Sequence, residues 1–563
     1  MKVYLIFIAY FLTISLSIGQ SDYPTLDEIR DQLETLRADH SDYFDFSSIA
    51  TSPGGNEVWL AKMGSGDEDL TPGLMFVSGV DGRHPAGTQM TLHLAKKLLA
   101  EKDEFLNRFY FYFVPVLSPD AYEQYHGDLI YERLGNAKET DIDRDGRISE
   151  DSYDDLDGNG LISQIRITDP TGKYTAHSSD DRVLFSIEKR PVEEVIYRVI
   201  SEGIDNDKDG LFNEDGPGGV NLNNNFSFNY PAFQPGAGEH AVSEEGNRNL
   251  AEFLFERWNI YAVFTFGLEN NLSHPVSFDR AKVSQRVITG PLEKDAKVAS
   301  QIGKLYEDKV GWEDAVKLEQ GPGSFSSWAY FHYCRYSFVS PAWWAPVTIE
   351  KEEEVEGDDN SVEESENGVE EEGDRSKITA KDLRENYDLR YIHWAESEGI
   401  TDYFIPWTSI EHPDFPGREA EVGGFKPFVR NNPPLTYLEE VADGYLDFIK
   451  SFGKKMPVLE FGDVKVEEID HRVFRVSGRV INSGQLPTGT ELGDRSRWVR
   501  DIRHRVLLNS DQELLTGHYR DFHKSLQPGE YFEFSWLISG RGEVTLDAAS
   551  PMTGVATEVI ELR

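Results

Sequence analysis

Val77-Ser78-Gly79-Val80-Asp81-Gly82-Arg83-His84-Pro85-Ala86-Gly87 is the stretch that decides how the chain is read. An apolar run, Gly73-Leu74-Met75-Phe76-Val77, feeds it. The segment from Thr88 to Leu99 leaves it, with Met90, Leu94, Leu98 and Leu99 at helical spacing. A buried strand, a glycine-rich turn and a helix put Asp81 and His84 at the carboxyl end of a strand, where open α/β sheets build their sites. Both side chains are competent zinc or transition-metal ligands. Set against that, Asp81 can equally bind turn amides, and His84 can be an ordinary loop histidine before proline.

Further strands follow outward from this turn. Phe109 to Leu117 is aromatic and β-branched and stops at Ser118-Pro119-Asp120. Ile260 to Phe266 and Tyr336 to Val339 are two more, with helix-like segments between them (Leu250 to Leu254, Val298 to Lys309). Alternating strands and helices predict an α/β fold, a mixed central sheet with helices on both faces, over residues 21–455. Ahead of it, Thr25 and Glu28 form a capping box for a helix reaching Leu36. Phe404 to Pro434 reads as irregular, and Leu438 to Phe452 as a helix. After Pro457 short strand-like runs separated by turns predict a small C-terminal β-sandwich of immunoglobulin or fibronectin type over residues 457–563.

Bulk composition narrows the partners. The chain has 563 residues and a net charge of −44, which makes nucleic acid and anionic membranes poor partners and divalent cations plausible ones. Residues 1–20 carry Lys2, an apolar core and small residues near the end, which predicts a secretory signal peptide and a secreted, periplasmic or cell-surface protein. No membrane span is expected after its cleavage. The single cysteine, Cys334, sits in an aromatic run and reads as a buried apolar residue. Residues 350–375 hold 14 acidic side chains against two basic ones, an insertion too self-repelling to fold alone.

Between about 131 and 219 the α/β pattern breaks into an Asp-rich insertion. Three runs there place oxygen donors at positions 1, 3 and 5 and glycine at 6: Asp141, Asp143, Asp145; Asp155, Asp157, Asn159; and Asp205, Asp207, Asp209. That is the first half of a calcium loop, so calcium is the expected cofactor. The bidentate glutamate at position 12 is missing from all three, and Glu150, Asp151 or Glu214 is expected to close them instead.

Taken in order, the Gly79–Gly87 turn, Ser118-Pro119-Asp120, Asn221 to Phe226, the end of the Ile260 strand and Tyr336 to Trp343 resemble the zinc carboxypeptidases of the M14 peptidase family. The resemblance implies a zinc held by a His and a Glu three apart in the first turn and by a second His after a later strand. It also implies a glutamate base and an arginine that clamps the substrate's terminal carboxylate. At those places this chain has Asp81, His84, Phe266-Gly267, Pro341 and Asn224. The glycines of the turn are kept, and nearly every chemical side chain is exchanged. Asn223, Asn224, Asn225, Glu269 and Pro341 mark the remnant of the substrate pocket.

The substitutions favour a carboxypeptidase-like protein without peptidase activity, acting as a binding or structural protein for a peptide, protein or glycan ligand. An alternative is a metallohydrolase with a rearranged site, in which Glu269 or His274 joins Asp81 and His84 around zinc. Another is a calcium-dependent carbohydrate or adhesion protein, with Trp328, Trp343 and Trp344 as a sugar platform.

Overall fold

The computed structural model describes residues 23–101, 104–141, 146–148, 151–187, 195–208, 210, 212–213, 218–349 and 378–563. The expected signal peptide and the acidic insertion at 350–375 lie outside the described residues, as do Asp143, Asp145 and Asp209.

A mixed six-stranded sheet positions the site. Its order is Phe44–Thr51, Glu57–Met63, Tyr110–Val114, Gly73–Ser78, Ile260–Phe266 and Tyr336–Ser340. The last four run parallel, and the first two form an antiparallel hairpin joined to Tyr110–Val114. Gly73–Ser78 and Ile260–Phe266 are buried along their whole length, which explains why each reads as an unbroken apolar run. Strand alternation then splits the core. Leu74 and Phe76 face the helices Pro85–Ala100, Glu293–Val310 and Leu435–Lys455, while Met75 and Val77 face Glu245–Glu256 and Phe325–Phe331. An aromatic ladder crosses the first face, Phe113–Phe76–Phe264–Phe338, with ring centroids 5.2, 5.3 and 5.4 Å apart.

The structure departs from the sequence reading in the Asp-rich insertion and in the segment that starts at Phe404. These are not two irregular loops. They join into a second six-stranded sheet, in the order Phe404–Ile410, Ala420–Phe425, Gln164–Thr168, Tyr197–Ser201, Tyr174–His177 and Asp180–Ser186. Ile165 pairs with Val422 across that junction, and with Ile167 and Ala420 they form a small buried core. Glu244 is the N-cap of the helix Glu245–Glu256, and Asn386 separates the helices Ala380–Glu385 and Tyr387–Ser397.

From Leu459 onward the chain forms two four-stranded antiparallel sheets around one core that includes Phe474, Val476, Trp536, Ile538, Val544 and Leu546. The sheets are Leu459–Asp470, Val473–Asn482, Tyr531–Ser539, Glu513–Thr516 and Arg520–His523, Ile502–Leu507, Gly542–Ser550, Gly554–Leu562. Buried polar groups tie this unit to the α/β body. Asp295 accepts from the amides of Glu491 (2.8 Å) and Leu492 (3.1 Å), and Arg335 donates to Trp498 O (2.8 Å).

Candidate active site

The turn after Gly73–Ser78 is fixed by its backbone. Gly79 adopts φ +58°, and a Cβ there would lie 2.8 Å from Val116 Cα, so only glycine fits against the neighbouring strand's exit. Asp81 and His84 follow, both buried. Asp81 is held by the residue between them. Arg83 donates to it from Nε (3.0 Å), Nη2 (2.7 Å) and its backbone amide (3.0 Å). Burial pushes the Asp81 carboxyl up. The charge and hydrogen bonds of Arg83 outweigh that, and the carboxylate ends below its ordinary range. Asn432 locks the turn from outside, donating to Arg83 O (2.9 Å) and accepting from Ala86 N (2.9 Å).

His84 has one ring nitrogen engaged, while its Nδ1 is buried without a hydrogen-bond partner. Its Nε2 lies 2.8 Å from the carbonyl of Pro341, so that nitrogen carries the proton and donates. Its Nδ1 is buried against backbone: a Cβ built on Gly87 would come 2.8 Å from it and 2.9 Å from Phe266 O. Burial pushes the imidazole pKa down to about 4, so the ring is neutral at pH 7. The next strand ends Thr265-Phe266-Gly267 and the last ends Ser340-Pro341, so neither delivers a third ligand or a base beside the turn.

The remnant pocket is closed by its own hydrogen bonds. Glu269 is buried and accepts from Asn223 Nδ2 (3.2 Å) and from the Ser326 hydroxyl; burial raises its carboxyl pKa. Asn223 also accepts from Phe325 N (3.0 Å). Asn225 is fully buried and spends its amide on Ala237 O, His240 O and Ser243 Oγ, so it is a structural residue rather than a pocket wall. Asn224 is half-buried. His274 faces Ala315 O (3.1 Å). Trp328, Trp343 and Trp344 are each at most 2% exposed, which removes them as a sugar platform: they are core. Cys334 is buried, with Sγ 3.2 Å from Ser496 Oγ.

The second and third Asp-rich runs are brought near each other; of the first, only Asp141 and Gly146 are among the described residues. Asp155 and Asp157 converge with Glu202, one oxygen from each within 4.8 Å of the others, and among the described residues no other group of three or more His, Cys, Asp or Glu does so. Glu202 arrives from the end of the Tyr197–Ser201 strand; of the carboxylates expected to close the runs, Glu150 and Glu214 lie outside the described residues. Asn159 turns inward, accepting from Leu161 N (2.7 Å) and donating to Asp157. Asp141 and Asp205 accept from Gly146 N (3.0 Å) and Gly210 N (3.1 Å) within their own turns. Asp151 binds Asn206 and Asn213 amides, stitching the third run to the second. Asp207 is half-buried beside them.

A family model for zinc carboxypeptidases matches residues 29–340, more than half of the chain. The chain belongs to the zinc carboxypeptidase family. A second model, for a domain of unknown function (DUF8731), matches residues 458–561. Among solved structures, the carboxypeptidase A of Helicoverpa armigera is similar at 15% identity and TM-score 0.36, covering 58% of this chain and 66% of its own. Bovine thrombin-activatable fibrinolysis inhibitor is similar at 13% identity and TM-score 0.33, covering 56% and 85%. No curated protein matches the chain.

Family membership implies zinc, and the residues present do not fit it. A zinc site needs three side chains with lone pairs directed at one point. Here the Asp81 oxygens face a guanidinium, His84 Nε2 faces a carbonyl and its Nδ1 is buried without a partner, and the two later positions are Gly267 and Pro341, so no three side chains converge on one point. Arg83 is what sequence reading missed. The acid and base two apart across a tight turn were the available signal.

Proposed function

We infer that this chain is a zinc carboxypeptidase-family protein that has given up peptidase chemistry and works outside the cell as a binding or structural protein. The observation that carries this reading is the Asp81–Arg83 pair. A fixed positive charge occupies the carboxylate a metal would need, and a general base is missing where water would be activated. The Pro341 carbonyl on His84 supports it. Elemental analysis of the purified protein, with peptide and ester cleavage assayed with and without chelator, tests it. The expected result is zinc well below one per chain and no chelator-sensitive turnover. One zinc per chain with turnover abolished by chelation overturns the reading.

A second reading rests on the Asp155, Asp157 and Glu202 cluster. Hard carboxylate oxygens brought together from two chain segments suit calcium, and such an ion would pin the insertion to its sheet. Calorimetric titration with calcium should show saturable binding that Glu202→Gln abolishes. An unchanged isotherm in that variant removes the cluster as the site.

A further inference from the structure

The stretch from His274 to Thr289, which follows the strand Ile260–Phe266, is a cationic and apolar patch on a strongly acidic chain. Asp279 caps its one helical turn, Arg280–Val283, accepting from Ala281 N (2.8 Å). Thr289 N returns to Lys282 O (3.3 Å), so the stretch folds back on itself. Val283 and Ile288 pack inward with Leu292, Cys334 and Leu492. Val276, Phe278 and Val287 stay exposed, Val287 by 64%, as do Arg280, Lys282 and Arg286. None of these three cations has an ion pair or a side-chain hydrogen bond among the described residues, and Asp279 is the one acidic side chain in the stretch. Apolar side chains exposed together with unpaired charge of one sign mark an interaction surface.

The start of the patch is tied to the place where the acidic insertion leaves and re-enters the α/β body. His274 Nε2 lies 3.1 Å from Ala315 O. The residues just before Ala315 hold both flanks of the insertion. Trp312 Nε1 donates to Trp344 O (2.9 Å), Trp344 Nε1 to Glu313 O (2.9 Å), and Asp314 accepts from Arg384 Nε (2.8 Å). The described chain stops at Ile349 and resumes at Ile378. At about 3.3 Å per extended residue, half of residues 350–377 spans roughly 45 Å, and Arg286, the farthest of the cations along the chain, lies at most about 40 Å from His274.

The insertion is also the chemical complement of the patch. Residues 350–375 carry 14 acidic side chains against two basic ones, and their apolar side chains are Val355, Val362 and Val369. Opposite charge favours the encounter, and the tether holds the segment at an effective concentration of about a millimolar. We propose that the acidic insertion docks on this patch of its own chain, with carboxylates on Arg280, Lys282 and Arg286 and valines against Val276, Phe278 and Val287. The contact does not depend on whether the Asp81 turn or the Asp155 cluster holds a metal.

Carbodiimide crosslinking of the full chain in low salt, mapped by mass spectrometry, tests this, because the reagent joins a lysine amine to a carboxylate only when the two touch. The expected product is a Lys282 link to an acidic residue between 352 and 374 in monomeric protein. Arg280→Glu with Arg286→Glu keeps Lys282 and should lower the yield of that link about tenfold, as should about 1 M sodium chloride. Both arginines are exposed, and circular dichroism melts should show the double variant folded. Three results overturn the proposal: no Lys282 link forms, the link is undiminished in the double variant, or it is confined to dimers, which makes a second copy the occupant.

Discussion

Arg83 decides what the Asp81 turn can do. In a metal site, Asp81 would present a lone pair to a cation; here the cation is covalently part of the chain. Breaking such a pair on one side only leaves a buried, unmatched charge. Arg83→Met should therefore lower unfolding free energy at pH 7 by roughly 3 kcal/mol, while Arg83→Met with Asp81→Asn should recover most of it. Urea denaturation of the three proteins measures this. Equal midpoints for the wild type and Arg83→Met would show that the pair holds nothing. The sign with pH follows from the direction of the shift. Asp81 is depressed in the folded state, so its contribution is present above the ordinary aspartate range and is lost as pH falls through the lowered value. Arg83→Met should remove that part of the acid sensitivity.

At the scale of elements, the helix Glu491–Ser496 is the hinge pin between the α/β body and the terminal sheets. Thr490 caps it from within, accepting from Gly493 N (3.0 Å), and Asp295 satisfies the amides of Glu491 and Leu492 from across the junction. Burial pushes the Asp295 carboxyl up to about 6. A raised acid is protonated more readily folded than unfolded, so its stabilising effect is largest in acid and is lost as pH rises toward 6. Asp295→Asn should therefore flatten the change in thermal midpoint between pH 4 and pH 6. A variant whose slope matches the wild type would remove Asp295 as its source.

The same scale shows what could be read in advance. Gly73–Ser78 and Ile260–Phe266 are legible because burial on both faces forces unbroken apolar sequence. The strand Gln164–Thr168 is not, because Arg166 breaks its pattern and its partner Ala420–Phe425 lies some 250 residues away in sequence. Phe404–Ile410 hides behind Pro406 and a register shift between Ile405 and Thr408. At the site, the turn and its two exchanged ligands are legible from Asp81 and His84. The Arg83 pairing is signalled only by an acid and a base two apart in the turn, and the approach of Glu202 to Asp155 and Asp157 is set by tertiary contact rather than by spacing.

Across the whole molecule, acid bears on both bodies, through Asp81 and His84 in the α/β body and through His504 in the terminal sheets. In the terminal sheets His504 is about 1% exposed, and neither ring nitrogen has a protein partner. Phe461, Phe532, Phe534 and Trp536 surround it, and His523 lies beyond, with ring centroids 6.0 Å apart. Burial, reinforced by His523, pushes its pKa down to about 4, while Asp521 and Asp547 pull weakly the other way. A depressed histidine is protonated more readily unfolded than folded. Its neutral form supports the fold above pH 6.5, and that support drains away as pH falls toward 4, by about 3 kcal/mol at most. The Asp295 junction strengthens over nearly the same interval. The terminal sheets should therefore carry an acid-sensitive transition of their own. Scanning calorimetry at pH 7 should show closely spaced transitions, and at pH 4.5 a separate, earlier one. His504→Phe, which keeps the aromatic packing and removes the titration, should return that early transition toward its neutral position. A wild type and a His504→Phe variant that separate equally at pH 4.5 would place the acid sensitivity elsewhere. In that case the chain's net charge of −44 is the next group of interactions to examine, by repeating the scans at high salt, where self-repulsion is screened.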